Sequence, residues 1–409
     1  MDKKKMSALL VICLANGIMY TLPFLQTTYY DSMMAAYGFT HVQMGNLVGA
    51  YGACNLVAYL IGGIIADSFD TKKLFVFSLM ATGLTGLYSA TLPSYEVMKV
   101  INIFWSFTTV LSFWSAMIKA VKNLADDEHQ GLVFSLKETF CCIIAFIVSM
   151  SALTFFRVTG ENFVRLVILY SIAHIIAAVL VFFFMPSQPP EKKPDVKNLF
   201  SGIKQVVKFK GVWLIGFTIF TSQMINIALG RFTPFLTNIG GLSASAVAFI
   251  TIVLVNGVAN IGSLSGGRIA DFIGSPSKFI SYVMIGFAVT SAVFLISPWG
   301  KDTVFISILI CAVFRILNGA VRSVLFATMS QVDIPMKLTG TASGVISVIG
   351  YLPDAFGYTL CGAVMQAFEP VTSYRVIFIG LGVFAIIGSL LATALHKYSV
   401  KCKIKKGYL

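Results

Sequence analysis

The sequence predicts an all-α integral membrane protein of twelve transmembrane helices in two pseudo-symmetric bundles of six. Three observations carry that expectation. Of 409 residues, 57% are hydrophobic and only 11% are charged, against about 25% charged in soluble globular chains. Apolar runs of about 20 residues or more recur along the whole chain, each long enough as a helix to cross roughly 30 Å of hydrocarbon. The charged stretch GGIIAD at Gly62–Asp67 returns as GGRIAD at Gly266–Asp271, at the exit of the second span of each half.

The expected spans are residues 7–28, 42–66, 73–93, 97–121, 130–156, 163–186, 211–238, 244–270, 278–298, 303–329, 339–366 and 373–396. The first follows Lys3-Lys4-Lys5 as a signal peptide would, but it is too long for an h-region and no convincing small-residue cleavage site follows, so it counts as a helix. Between spans 6 and 7 lies the long polar segment SQPPEKKPDVKNLFSGIKQVVKFKG. It divides the chain into an N-terminal bundle (1–186), a linker (187–210), a C-terminal bundle (211–396) and a basic tail (397–409). Leu199–Phe209 of the linker has the pattern of a short helix lying on the membrane surface, with a solvated tether as the alternative.

The net charge of +13 would suggest nucleic acid in a soluble chain, but here its placement explains it. Assigning alternate loops to the two sides puts about 20 basic residues on one side and about 5 on the other. The rich side holds Lys3, Lys4, Lys5, Lys72, Lys73, Lys122, six lysines from Lys192 to Lys210, Arg268, Lys278, Lys337 and the tail lysines. That side is the cytoplasm, so both termini are expected there. The seven cysteines lie mostly inside spans without metal-ligand spacing. Nor does any triad grouping, phosphate-cradling Gly loop or HExxH motif argue for an enzyme. No metal, cofactor or nucleic acid is expected.

A second repeat pairs Pro23-Phe24-Leu25, late in span 1, with Pro234-Phe235-Leu236, late in span 7. Two homologous six-helix halves are the build of transporters with a midplane site at the repeat interface. The loop after span 2, with Gly63, Asp67, Lys72 and Lys73, and its second copy, with Gly267, Asp271, Gly274 and Lys278, resemble the signature loop of the major facilitator superfamily. In the first copy Asp70 stands where that signature usually has Gly. The resemblance covers the whole chain and implies a monomeric transporter working by alternating access, with Asp67 and Asp271 as conformational latches. By the implied pseudo-symmetry Asp67 would cap the start of span 11 near Thr339-Gly340, and Asp271 the start of span 5 near Gln130-Gly131. The paired glycines Gly62-Gly63 and Gly266-Gly267 are expected at close backbone approaches.

A charge at a helix centre costs about 2.5–3.5 kcal/mol, so each needs a partner, a cavity or a function. Arg315 and Arg322, seven residues apart in span 10, fall within about 20° of one face, with Asn318 close by. Two guanidinia and an amide suit a carboxylate or phosphate, since Arg offers planar bidentate donors; the alternative for Arg315 is an ion pair with Asp354 of span 11. Lys137 and Glu138 of span 5 leave the helix about 100° apart and are not expected to pair with each other. Glu138 and Asp354 are the candidate proton-coupling carboxylates, with structural pairing of Glu138 with a lysine as the alternative. Arg231 is expected near the outer end of span 7, in a vestibule or anchored at the interface, with Tyr20 at the equivalent position of span 1. Lys119 is expected to snorkel and His174 to pack. Tyr20, Gln26, Trp105, Trp114, Asn256 and Asn260 are further candidates for a lining.

Trp114 to Val121, Gln130-Gly131 and Glu138 look like the span 4–5 region of bacterial sugar-phosphate and organic-anion permeases. Span 1 lacks the basic residue that true phosphate exchangers of that group carry. Within the spans, five basic residues (Lys119, Lys137, Arg231, Arg315, Arg322) face two acidic ones (Glu138, Asp354). The expected cargo is therefore a small organic anion: a carboxylate, sugar acid or sugar phosphate. Proton-driven efflux of a lipophilic or cationic compound is the competing transport reading, and a transporter-like membrane sensor the competing class.

Overall fold

A computed structural model describes residues 3–124, 130–187, 202–335 and 338–405. Among the described residues, ten helices are long and apolar enough to cross a membrane, and two shorter ones complete twelve. In chain order they are α1 (Lys3–Met19), α2 (His41–Ser68), α3 (Thr71–Ser89), α4 (Tyr95–Val121), α5 (Gln130–Val158), α6 (Phe163–Phe184), α7 (Lys210–Asn238), α8 (Ala244–Ile273), α9 (Pro276–Ile296), α10 (Val304–Val324), α11 (Thr339–Ala367) and α12 (Pro370–Lys405). Among the described residues there is no strand.

The chain forms two compact units, Met1–Asp195 with Ala244–Ile252, and Val196–Ser243 with Val253–Leu409. Each repeats the same pairings. In the first, α1 packs on α5 and α6, α2 on α4, and α3 on α6; in the second, α7 packs on α11 and α12, α8 on α10, and α9 on α12. The sequence repeat is thus a repeat of helix contacts. The expected surface helix at Leu199–Phe209 starts outside the described residues, and the described part is helical over residues 202–206.

Three spans expected to be continuous are broken. The α1 helix stops at Met19 and helix resumes only at Leu25. Pro23 has no N–H to give to the carbonyl four residues back, which is that of Met19. In α7, the first helical segment ends at Leu229 and the second starts at Phe232, with Pro234 in its first turn. In α11, a 3₁₀ turn at Leu352–Ala355 containing Pro353 separates Thr339–Tyr351 from Gly357–Ala367. An apolar run long enough to span conceals such a break, because hydropathy averages over it. Two further irregularities are π-helical stretches, Phe107–Trp114 in α4 and Val253–Val258 in α8; such segments occur often at functional sites.

Small residues set the helix spacing. A Cβ on Gly262 would run into the Ile316 carbonyl oxygen, and one on Gly319 into that of Ala259, so α8 and α10 touch backbone to backbone in both directions. A Cβ on Gly266 would fall 2.6 Å from Ala320 O on the same seam, and one on Gly62, its counterpart on α2, would meet the Ser115 side chain of α4. Gly267 does not share in this: a Cβ there would point into open space. It is one residue, about 100°, around the helix from Gly266, so only one glycine of that pair can face the neighbour.

Candidate functional site

The second unit gathers most of the predicted intramembrane charges where two broken helices meet α10. Arg315 is 7% exposed, and its Nη2 donates to the Leu229 carbonyl at 3.1 Å. Leu229 closes the first segment of α7, one of the last residues whose carbonyls find no partner within their own helix and which carry the negative end of its dipole. A cation at a helix C-terminus gains up to about 2 kcal/mol, less than the roughly 2.5–3.5 kcal/mol that an arginine costs at a helix centre. Arg315 Nε and Asn318 Nδ2, one turn apart on α10, are both buried without a hydrogen-bond partner. Among the described residues no carboxylate pairs with Arg315.

Asp354 has another partner. Gln223 of α7 donates from Nε2 to Asp354 Oδ1 at 2.7 Å, and its Oε1 lies 3.4 Å from Arg322 Nη1. Gln223 therefore bridges Arg322 and Asp354, and the ion pair weighed between Arg315 and Asp354 is not formed. The break in α11 is what turns Asp354 toward α7, since the carboxylate sits in the 3₁₀ turn and not on a continuous helix. Arg322 itself is exposed.

Arg231 lies in the break of α7 and is 2% exposed, its guanidinium 5.6 Å from the Tyr358 ring centre on α11. It occupies neither an open vestibule nor the interface. The helix interruption draws it inward, and an aromatic face supports the buried cation. Tyr358 also stands within electrostatic reach of Asp354 and Arg322. Gln223 and Tyr358 were not anticipated; the available signals were an amide amid Met and Ile, and a tyrosine four residues beyond Asp354 on the same helix.

In the first unit the equivalent positions carry different chemistry. Tyr20 lies in the α1 break, half-buried, with its ring edge-on to Phe113 at 6.4 Å. The Met19 carbonyl stranded by Pro23 is approached at 3.4 Å by Nε2 of His174, whose Nδ1 lies 2.7 Å from Tyr170 O. His174 is fully buried. Lys137 and Glu138, expected to diverge, bond at 2.8 Å. The expectation followed the Cβ directions, but the four-carbon lysine stem bends around the helix to reach its neighbour. Lys137 is buried with its ammonium 5.9 Å from the Trp114 ring centre, whereas Glu138 is 68% exposed. Gln26 is buried with neither amide atom partnered. Trp105 is spent structurally, donating to Thr85 Oγ1. In the second unit Asn260 donates to Asn256 O within the π-helical region of α8.

The two signature turns differ in build. After α8, Gly274 takes φ +72° and caps the helix, its N–H bonding to Asp271 O, and Ser275 then caps α9 by accepting from Lys278 N. After α2 the next helix starts one residue sooner, four residues past Asp67 against five past Asp271. Asp70 itself is the N-cap of α3, accepting from Lys73 N and from the Ser187 hydroxyl, so no left-handed residue is needed and Asp70 replaces the usual glycine without strain. Asp67 pairs with Lys119 of α4 at 3.4 Å, which ties down the lysine expected to snorkel. Asp271 is exposed. Lys72 rests over Phe182 at 5.1 Å and Lys278 over Tyr282 at 5.9 Å. Gly63 lies within α2, but its surroundings fall outside the described residues.

Comparison with known proteins fits this architecture. The family model of the Major Facilitator Superfamily matches residues 7–358. The inner membrane protein YihN of Escherichia coli K12 is 28% identical over 406 residues, 97% of this chain and 96% of that protein. The enterobactin exporter EntS of Escherichia coli O1:K1 is 22% identical over 373 residues, 87% of this chain and 85% of the exporter. The crystal structure of a bacterial homologue of the human lysosomal transporter Spinster superposes with a TM-score of 0.79 at 12% identity, covering 98% of both chains. With a family model spanning most of its length and the duplicated signature turn in place, this multi-pass membrane chain belongs to the major facilitator superfamily and is a transporter, not an enzyme.

Proposed function

We propose that this transporter moves a small organic anion, a carboxylate, sugar acid or sugar phosphate, by alternating access. The observation that carries the reading is the buried Arg315, whose charge meets a helix end but no carboxylate, beside unsatisfied donors on itself and Asn318. An anionic group would complete both. Arg322 and Arg231 add positive potential, and Tyr358 offers a hydroxyl and an apolar face. Asp354, bridged through Gln223 to Arg322, is positioned as the proton-coupling carboxylate of this half, and Glu138 as that of the other. Lys137 and Tyr20 are the ligand contacts proposed for the N-terminal half. Asp67, Lys72 and Lys73 of the first signature turn, and Gly267, Asp271, Gly274 and Lys278 of the second, are read as the state-dependent latch. Both termini are assigned to the cytoplasm, and the working unit is a monomer.

The similarity to an enterobactin exporter favours a second reading, proton-driven efflux of a lipophilic or cationic compound. A thermal-shift screen of purified protein with organic acids, sugar acids, sugar phosphates and hydrophobic cations separates them, since ligand binding raises apparent stability by mass action. The expected result is a concentration-dependent shift with an anion that a folded Arg315→Ala variant loses. A shift with cations alone, or an unchanged anion response in Arg315→Ala, would overturn the anion reading and favour efflux. Flux of the hit into proteoliposomes distinguishes transport from sensing.

A further inference from the structure

We propose that the first unit carries a binding site for an anionic phospholipid in a groove between α3 and α6. The groove encloses about 660 Å³ and is separate from the charged cluster of the second unit. Its floor follows one face of α3: Lys73, Phe77, Met80 and Leu84 recur at helical spacing, and Phe182 of α6 forms the opposite wall. Phe77, Leu84 and Phe182 are each more than half exposed, an apolar surface shaped for an acyl chain.

Length and charge choose the occupant. From Lys73 to Leu84 is eleven residues, about 16 Å of helix, which is close to half of the roughly 30 Å hydrocarbon core and so to one leaflet. The groove opens at the polar end of α3, where a headgroup would lie. Lys72 and Lys73 stand there. Lys72 is held over Phe182, the residue that walls the groove, and Lys73 is exposed. Asp70, which accepts from Lys73 N–H and the Ser187 hydroxyl, offsets one of the two lysines, so the rim keeps a net positive charge. Basic pockets between transmembrane helices bind anionic headgroups. A second groove of about 350 Å³, walled by Phe183 and Phe184 of the same α6 end and rimmed by Lys5, flanks the first. The triplet Phe182-Phe183-Phe184 thus divides two lysine-rimmed grooves.

The test uses the full chain in detergent, with phosphatidylglycerol, phosphatidylcholine of identical acyl chains, and soluble glycerol phosphate as probes, read by thermal shift and native mass spectrometry. Phosphatidylglycerol is expected to bind and stabilise, and the other two to do neither. The double variant Lys72→Ala/Lys73→Ala should need at least tenfold more lipid for half-saturation. Ala81→Phe, which fills the groove with both charges kept, should weaken binding likewise, and decides the matter should the double variant fail to fold. Equal binding of phosphatidylcholine, displacement by glycerol phosphate alone, or an unaltered response in Ala81→Phe would overturn the proposal.

Discussion

The two halves repeat a backbone device but cap it with different chemistry. In each, the first helix is interrupted near a proline, and a basic side chain from a neighbouring helix approaches a carbonyl stranded at the interruption: His174 of α6 at Met19 in the first unit, Arg315 of α10 at Leu229 in the second. At the first break stand aromatics, with the Lys137–Glu138 pair lower in the same unit, where Cys13 of α1 meets Lys137 O; the second unit holds three arginines, Tyr358 and one bridged carboxylate. The two halves share the helix break, while the charged residues near it differ. A neutral histidine has one N–H to give, to Tyr170 O at 2.7 Å or to Met19 O at 3.4 Å, and brings no charge to the break. Arginine brings a permanent charge that one helix end does not fully offset, which is why the proposed anion site is assigned to the second break.

The largest effect expected from breaking this asymmetry is at Arg315. Arg315→Ala should lower anion affinity about 100-fold, since truncating one partner of a buried charged contact costs about 2–5 kcal/mol. Arg315→Lys should recover only part, because the ammonium lacks the fork that serves a carbonyl and a ligand together. Titration calorimetry on the folded variants reads both. In contrast, His174→Ala should leave anion affinity within about threefold.

Next in size is the helix seam. Gly319→Ala would drive a methyl into the Ala259 carbonyl, which is backbone and cannot swing aside, so a stability loss of about 1–3 kcal/mol is expected. Gly62→Ala meets only the Ser115 side chain, which can rotate away, and should cost less. Paired melting curves compare the seams directly. A smaller effect is expected at His174, where His174→Ala removes one buried hydrogen bond to a backbone carbonyl, a net loss of about 0.5–1.5 kcal/mol, and keeps the backbone fold; thermal melts give the loss. Equal losses of anion affinity in His174→Ala and Arg315→Ala would erase the distinction between halves.

Much of this was legible in the sequence, and the failures share a cause. Twelve spans and two halves followed from hydropathy and a repeated hexapeptide, because bilayer thickness fixes helix length. The α10 stripe of Arg315, Asn318 and Arg322 followed from spacing alone, since a helix converts three and seven residues into one face. The breaks did not follow. Pro23 and Pro234 marked the repeat, yet inside long apolar runs they left the average hydropathy untouched while removing the hydrogen bonds that matter. Gln223 escaped notice because an amide in an apolar helix reads as packing until its partners on α10 and α11 are seen. Lys137–Glu138 was missed because Cβ directions describe where a side chain starts, and a lysine ammonium ends about 6 Å away.

The smallest structural effect is expected at that pair, and it separates two meanings of Glu138. With Glu138 68% exposed, its contact with Lys137 is worth about 0.2–1 kcal/mol in water-accessible surroundings, so Glu138→Gln should hardly move the melting temperature. What it does to coupling is independent of that figure. If Glu138 carries the transported proton, Glu138→Gln uptake in proteoliposomes should lose its response to an imposed pH gradient while exchange of substrate for substrate continues. Asp354→Asn should then retain the gradient response. The reverse pattern would place coupling in the second unit, where Gln223 links Asp354 to Arg322, and would put the proton and the anion on the same side of the repeat. Both sites would then share one half, and the first unit would be left to set shape and hydrophobic fit.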